Sequence, residues 1–461
     1  MLRSRLLPAL LASVVLAACA SGPKASLPIP GLEPATPRAW SPAPDKPVQL
    51  SGPPSYRALW VDVLHDGIKT RKQVDELITK AHAANLNALF VQVRIRGDAY
   101  FRRGVEPLSR QLDGTWDPLA YVIQRAHAAN PPIEVHAWLN TFYVSKGSEV
   151  YQLYGDRWGN KQADGGDQDF GYIDPGAPAA RGYTQEVFLA VARNYNVDGI
   201  HMDYVRYPEG GDWGYSADGL AAFQQATGRA DRPAPDDGQF QQWRRDQVTA
   251  FVRGLHDALH HLRPRLKLSA ALIAYGKGPK TLDDWRGTRT YNDVYQDWVS
   301  WLDRGYLDLA VVMNYDRDSS PTQKGWFRDW IEFEKDHQGQ GRLIVGVGAF
   351  DNYPEDTMVQ IRVALQPSQA GLTASGVALY SYASTSLYGT DDFYLNPNGQ
   401  GYLPRQPYAP DTSPAVLAAR AKFFNAWFFE ALAKPSSYPD PALGTVDTTP
   451  VFDKPVAVPS S

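Results

Sequence analysis

Eight short apolar runs, each followed by a stretch of helical periodicity, constrain this chain more than anything else in it. The runs are 57–64, 88–94, 134–140, 199–203, 267–274, 308–315, 343–350 and 376–382. Each is rich in β-branched or aromatic residues and nearly continuous in hydrophobicity, as strands covered on both faces are. Between them, 74–84 places apolar side chains at Val74, Leu77, Ile78 and Ala81, one face of a helix. Segments 116–129, 184–195, 240–262 and 295–304 behave alike. Eight strand–helix units predict an α/β chain closed into a (β/α)8 TIM barrel. An open doubly wound sheet repeats the same unit. It loses support because His65-Asp66-Gly67, not a glycine-rich phosphate loop, follows the first run.

The ends of the chain read differently. Two arginines within the first five residues precede an apolar run, 6–18, too short to span a membrane. Leu16-Ala17-Ala18-Cys19 then resembles the bacterial lipobox, which implies a signal peptide over 1–18 and lipidation of Cys19, the only cysteine. Ala20 after that cysteine resembles outer-membrane rather than inner-membrane lipoproteins of Gram-negative cells. The expected address is therefore the cell envelope, on the periplasmic face of the outer membrane. Ten prolines over 20–54 predict an extended tether, so that 19–54 links anchor to body. The barrel is expected over 55–410. A C-terminal helix follows over 411–434, with Phe423, Phe424, Trp427 and Phe428 on its apolar side, and then a loose Pro-rich tail over 435–461. The net charge of −4 gives no basic surface for nucleic acid. Membrane contact would come through the lipid anchor.

Barrels place their chemistry at the C-terminal ends of the strands. Those ends carry Asp62, then Gln92 and Arg94, then His136, Trp138 and Asn140. Asp203, Tyr204 and Arg206 close the fourth run, Asn314, Tyr315, Asp316 and Asp318 the sixth, and Tyr380 and Tyr382 the eighth. Asp203 stands out: it has apolar neighbours and an arginine three positions on, which predicts an ionised carboxylate able to attack or stabilise a cationic sugar carbon. A structural Asp–Arg pair is the alternative. Glycosidic cleavage needs a second carboxyl as proton donor. Asp316 and Asp318 are the candidates, with Asp62 and Asp351 behind them; a solvated loop aspartate is the bland alternative for each. Asp62, Arg94, His136, Trp138, Asn140, Tyr204, Arg206, Asn314, Tyr315 and Tyr382 are the candidate substrate contacts. Trp60, Trp138, Trp158 and Trp213 are candidate stacking platforms. His136 and His201 lack a metal-binding spacing, and neither metal nor cofactor is expected.

Four segments carry a family resemblance: Arg57-Ala-Leu-Trp-Val-Asp62, Ala137-Trp-Leu-Asn140, Tyr172-Ile-Asp-Pro-Gly176 and Asp198-Gly-Ile-His-Met-Asp-Tyr-Val-Arg-Tyr-Pro208. Together they resemble the bacterial glycosyl-hydrolase-like family ten, over about 56–384. The resemblance implies a (β/α)8 barrel distantly related to the α-galactosidase superfamily, with Asp203 in the place of the nucleophile and the acid/base near Asp316. It also implies action on bacterial cell-wall glycan, in particular peptidoglycan strands stripped of their peptides. Part of the fourth motif resembles the chitinase strand-four pattern, but Val205 stands where that pattern needs a catalytic glutamate. Three readings of function remain: a hydrolase, a non-catalytic glycan-binding lipoprotein, and a transferase or lyase using the same pocket.

Overall fold

The computed structural model describes residues 56–112, 114–389, 414–440 and 443–455. The signal segment, Cys19 and the Pro-rich tether lie outside the described residues. Eight parallel strands close on themselves: β1 (Tyr56–Val61), β2 (Ala88–Arg94), β3 (Glu134–Asn140), β4 (Gly199–Asp203), β5 (Lys267–Ile273), β6 (Leu309–Asn314), β7 (Arg342–Gly348) and β8 (Gly376–Tyr380). Every sequence-predicted strand is present, and the architecture is the (β/α)8 barrel.

Helices cover the outer face of the strands. Arg71–Ala83 starts where Thr70 and Gln73 form a reciprocal capping box, and it turns Val74, Leu77, Ile78 and Ala81 inward. Inside the barrel, Tyr56, Phe90, Trp60 and Trp138 interleave with the small residues Ala58, Ala88 and Ala378, so the ring is packed rather than hollow. His201 belongs to this packing. It accepts a hydrogen bond from Trp60 Nε1 at 3.0 Å, which leaves the proton on Nδ1, 2.9 Å from Ser269 Oγ. Burial drives its pKa well down, so the ring is a neutral strut.

The barrel is closed by β1 on β8, in register Tyr56↔Gly376. Gly376 has φ of +154°, and a Cβ there would meet the Tyr56 carbonyl oxygen at 2.1 Å. Gly376→Ala is therefore expected to cost on the order of 3 kcal/mol, adding backbone strain to a backbone clash at the seam. A chemical-denaturation midpoint equal to wild type would contradict this.

After the barrel, the helix Pro414–Ala433 buries Phe424, Phe428 and Phe429 and leaves Phe423 46% exposed. The Pro-rich tail departs from expectation. Residues Ser436–Asp440 (β9) and Gly444–Thr448 (β10) pair as an antiparallel hairpin. Tyr438 stacks into a cluster with Tyr353, Tyr388 and Phe424. Further on, Phe452 is buried beneath the Arg57 guanidinium at 4.8 Å. Buried aromatic rings supply what the prolines cannot. Among the described residues no helix is long and apolar enough to cross a membrane.

Candidate active site

At the C-terminal mouth of the barrel lies a cavity of about 270 Å3, lined by Trp60, Asp62, Gln92, Arg96, Trp138, Asn140, Tyr143, Asp203, Tyr204, Arg206, Met313, Tyr315 and Tyr380 among others. Alternation along the strands decides who faces it. On β4 the same parity that turns His201 inward turns Asp203 inward, one layer higher. On β3 the inward residues are Trp138 and Asn140, and Asn140 is the register partner of Asp203.

Asp203 is 7% exposed and surrounded by donors. Oδ1 accepts from the Tyr204 backbone N–H at 2.6 Å and faces Arg206 Nη1 at 3.6 Å; Oδ2 accepts from Trp138 Nε1 at 3.2 Å. Burial pushes the Asp203 pKa up, and Arg206, Tyr204 and Trp138 offset that only in part. Tyr204 takes φ of +50°, rare for a non-glycine residue. This turn stacks its ring on Tyr143 at 4.9 Å and beneath the Arg206 guanidinium at 4.4 Å. The opposite wall is aromatic as well, with Tyr315 and Tyr380 stacked at 5.3 Å.

A second carboxylate lines the same cavity. Asp62 Oδ1 accepts from the Leu64 and His65 backbone N–H groups at 2.9 and 3.0 Å and pairs with His65 Nδ1 at 2.8 Å. Against its burial, these bonds hold the Asp62 pKa below the usual range. Two buried atoms of the lining have no hydrogen-bond partner among the described residues: Asp62 Oδ2 and Arg206 Nη1. Buried polar atoms are normally satisfied, so an unpartnered acceptor and a donor with only a 3.6 Å ion pair to Asp203, both on residues of the lining, stand out.

A family model described as glycosyl hydrolase-like 10 matches residues 55–330. The chain belongs to this family. Glycosyl hydrolase YngK of Bacillus subtilis is 27% identical over 56% of the chain and 54% of its own length, so the match spans about half of YngK. Glycosyl hydrolase DigH of Escherichia coli O6:H1 is 23% identical over 84% of the chain and 93% of its own length. Among solved structures, the glycoside hydrolase domain of PgaB (BpsB) from Bordetella bronchiseptica is similar at 17% identity with a TM-score of 0.54, covering 71% of the chain and 94% of that domain. An α-L-fucosidase isoenzyme from Paenibacillus thiaminolyticus is similar at 14% identity and a TM-score of 0.50, over 84% of the chain and 51% of that enzyme. These two likenesses concern the barrel fold.

Of the residues singled out in sequence, this glycosyl hydrolase-like 10 barrel brings Asp62, Trp138, Asn140, Asp203, Tyr204, Arg206 and Tyr315 together. Six other candidate catalytic residues or substrate contacts stand elsewhere, as do two of the candidate stacking tryptophans. Arg94 has the parity of Gln92, but the strand shifts register between them, and its guanidinium swings into a buried pair with Glu106. His136 sits low in the barrel, its ring 5.1 Å from Phe90 and its Nε2 3.1 Å from Glu134. It is fully buried and out of reach of a sugar. On β6 the odd-numbered Met313 and Tyr315 face the cavity, so Asn314 and Asp316 face outward. Asn314 donates to Glu334 at 3.1 Å. Asp316, pushed up to about 7 by burial and by Asp351, is absent from the cavity wall. Asp318 is tied to Lys324 at 2.7 Å. Tyr382 packs on Phe429 and Lys80, leaving Tyr380 as the residue of that strand end that reaches the cavity. Trp60 and Trp138 are in the wall. Trp158 stacks on Tyr154 at 4.2 Å, and Trp213 bonds the Gly210 carbonyl. Sequence reasoning missed Tyr143, whose only signal was an aromatic residue three positions past a strand end. It also missed Glu209, half-exposed and 3.6 Å from Arg206. Among the described residues no group of three or more His, Cys, Asp or Glu gathers to hold a metal.

Proposed function

We propose that this protein is a glycoside hydrolase that cleaves a cell-envelope polysaccharide, namely peptidoglycan glycan strands lacking stem peptides. The observation that carries the reading is Asp203: a buried carboxyl at the barrel mouth, in a cavity walled by Trp138, Tyr204, Tyr315 and Tyr380. Flat aromatic faces match the apolar faces of sugar rings, and a carboxyl beside the reacting carbon is what an oxocarbenium-like transition state requires. Arg206 holds the local charge in balance. The relatives' glycosyl hydrolase names support the reaction class. The charged start, the apolar run and Cys19 support a lipid-anchored protein on the periplasmic side of the outer membrane, with the Pro-rich tether giving reach into the wall.

Digestion of peptide-free peptidoglycan by the protein lacking its anchor tests this. Mass spectrometry should find oligosaccharides that have each gained one water. Unsaturated ends would make it a lyase, and new linkages a transferase. Binding without cleavage is the second reading. One observation favours it: neither expected proton donor, Asp316 or Asp318, reaches the cavity. Sedimentation of the protein with glycan and no released fragments would establish that reading instead.

A further inference from the structure

We propose that Asp62 is the second catalytic carboxylate of the site, taking the proton of the attacking water while Asp203 gives its own to the departing sugar oxygen. This rests on the glycosidase reading above and assigns the partner that Asp316 and Asp318 leave open. Asp62 and Asp203 are both buried and both line the one cavity. The loop after β1 fixes Asp62 firmly: Gln92 Oε1 accepts from Val63 N–H at 3.2 Å, and Asp62 Oδ1 takes the next two backbone N–H groups. All of that bonding falls on Oδ1. Oδ2 is buried and unpartnered among the described residues. A satisfied oxygen toward the loop and an open one on the same carboxylate suit a group that accepts a proton from something bound.

The environments of the two carboxyls are also split in the sense a base and an acid need. His65 and two backbone donors depress Asp62, whereas burial raises Asp203. The partner of Oδ1, His65 Nδ1, lies 2.8 Å away on a side chain that is 58% exposed. The charged and titratable groups around Asp62 are His65, with Asp66 and Lys69 beside that imidazole, and Tyr380 from β8; Arg96 from beyond β2, Asp203 from β4 and Arg206 from beyond β4 line the same cavity.

In the step, the water oxygen bonds to the anomeric carbon as the glycosidic C–O bond breaks. The water proton passes to Asp62 and the Asp203 proton to the departing oxygen. One water is consumed, and the two carboxyls reset by exchanging a single proton with solvent. Configuration at the anomeric carbon inverts.

The experiment uses full-length protein in detergent with peptide-free glycan strands. Asp62→Asn retains Oδ1 for the loop, so it should melt like wild type. It should lose roughly 10²–10⁴-fold in kcat with KM within about threefold. Sodium formate should restore part of the rate of Asp62→Gly. His65→Ala should stay active, with the acidic limb of its pH profile moved to higher pH, because the bond that depresses Asp62 is gone. Proton NMR should show the inverted anomer first. The assignment is overturned by a near wild-type kcat in Asp62→Asn, by a loss confined to KM, by an unmoved acidic limb in His65→Ala, or by retention. Asp203→Asn measured alongside separates the two claims. If the wild-type protein releases no fragments, the glycosidase reading itself falls; if Asp203→Asn remains active, Asp203 leaves the mechanism. If it is dead while Asp62→Asn turns over, only the assignment of Asp62 falls.

Discussion

Asp203→Asn should lower glycan turnover by roughly 10²–10⁴-fold or more while leaving the protein folded. An amide can neither give a proton to a departing oxygen nor carry the charge that steadies a cationic sugar carbon. The fold should survive because Asn keeps Oδ1 for the Tyr204 N–H at 2.6 Å and loses only the long Trp138 contact at 3.2 Å, a bond worth about 1 kcal/mol. Arg206 would lose one carboxylate but still have Glu209 at 3.6 Å. Linkage works in the variant's favour. The Asp203 pKa is raised in the folded state, so its burial is best tolerated when it is protonated and becomes a penalty as pH rises through the raised value. Removing the charge lifts that penalty, and the variant should gain on wild type in melting temperature between acid and neutral pH. Turnover within a few-fold of wild type, with the same product pattern, would remove Asp203 from the mechanism. A variant that fails to melt cooperatively would instead make it a structural residue.

The strand framework was legible because the eight runs are buried on both faces, so period and length agree without help from tertiary contacts. Asp203, Trp138 and Arg206 followed from the rule that barrel chemistry sits at strand ends. That rule says which end, but not which side of the strand. Asn314 and Asp316 were expected on the basis of position alone, although the alternation Val311, Met313, Tyr315 already turned them outward. Arg94 is a different case. Its parity was inward, and only the slip in register between Gln92 and Arg94 redirects it. Such a bulge has no reliable sequence mark. Asp62 appeared as one contact among many and as a carboxyl ranked behind Asp316 and Asp318, because a strand-end Asp is common. What distinguishes it, one oxygen satisfied and the other left open, is a property of a folded loop. The hairpin β9–β10 was hidden by prolines, which argued for a loose tail; Tyr438 and Phe452 are what fix it, through partners far away in the chain.

Glu106→Ala should be among the most damaging single changes outside the cavity, destabilising the protein by about 3–5 kcal/mol. Arg94 and Glu106 form a two-pronged pair at 2.7 Å on each arm, both side chains fully buried. Tyr183 OH adds a third bond to Glu106 at 2.9 Å. The other end of Arg94 bonds the carbonyl oxygens of Asn140 and Thr141, where β3 ends and the cavity begins. Removing the carboxylate therefore strands a guanidinium in a dry interior and loosens the residues that set Asn140 beside Asp203. Stability and activity should fall together. The double variant Arg94→Met with Glu106→Leu separates charge from packing. A buried pair is costly to break but of little net worth against apolar side chains of similar size, so the double variant should be more stable than Glu106→Ala alone. It would still lose the two carbonyl contacts, and turnover should stay low even where melting recovers. Equal melting temperatures for the single and the double variants would mean that the damage comes from the polar contacts of Glu106 lost in both rather than from an unpaired charge. Full activity in the double variant would mean that Arg94 does not hold the cavity wall in place.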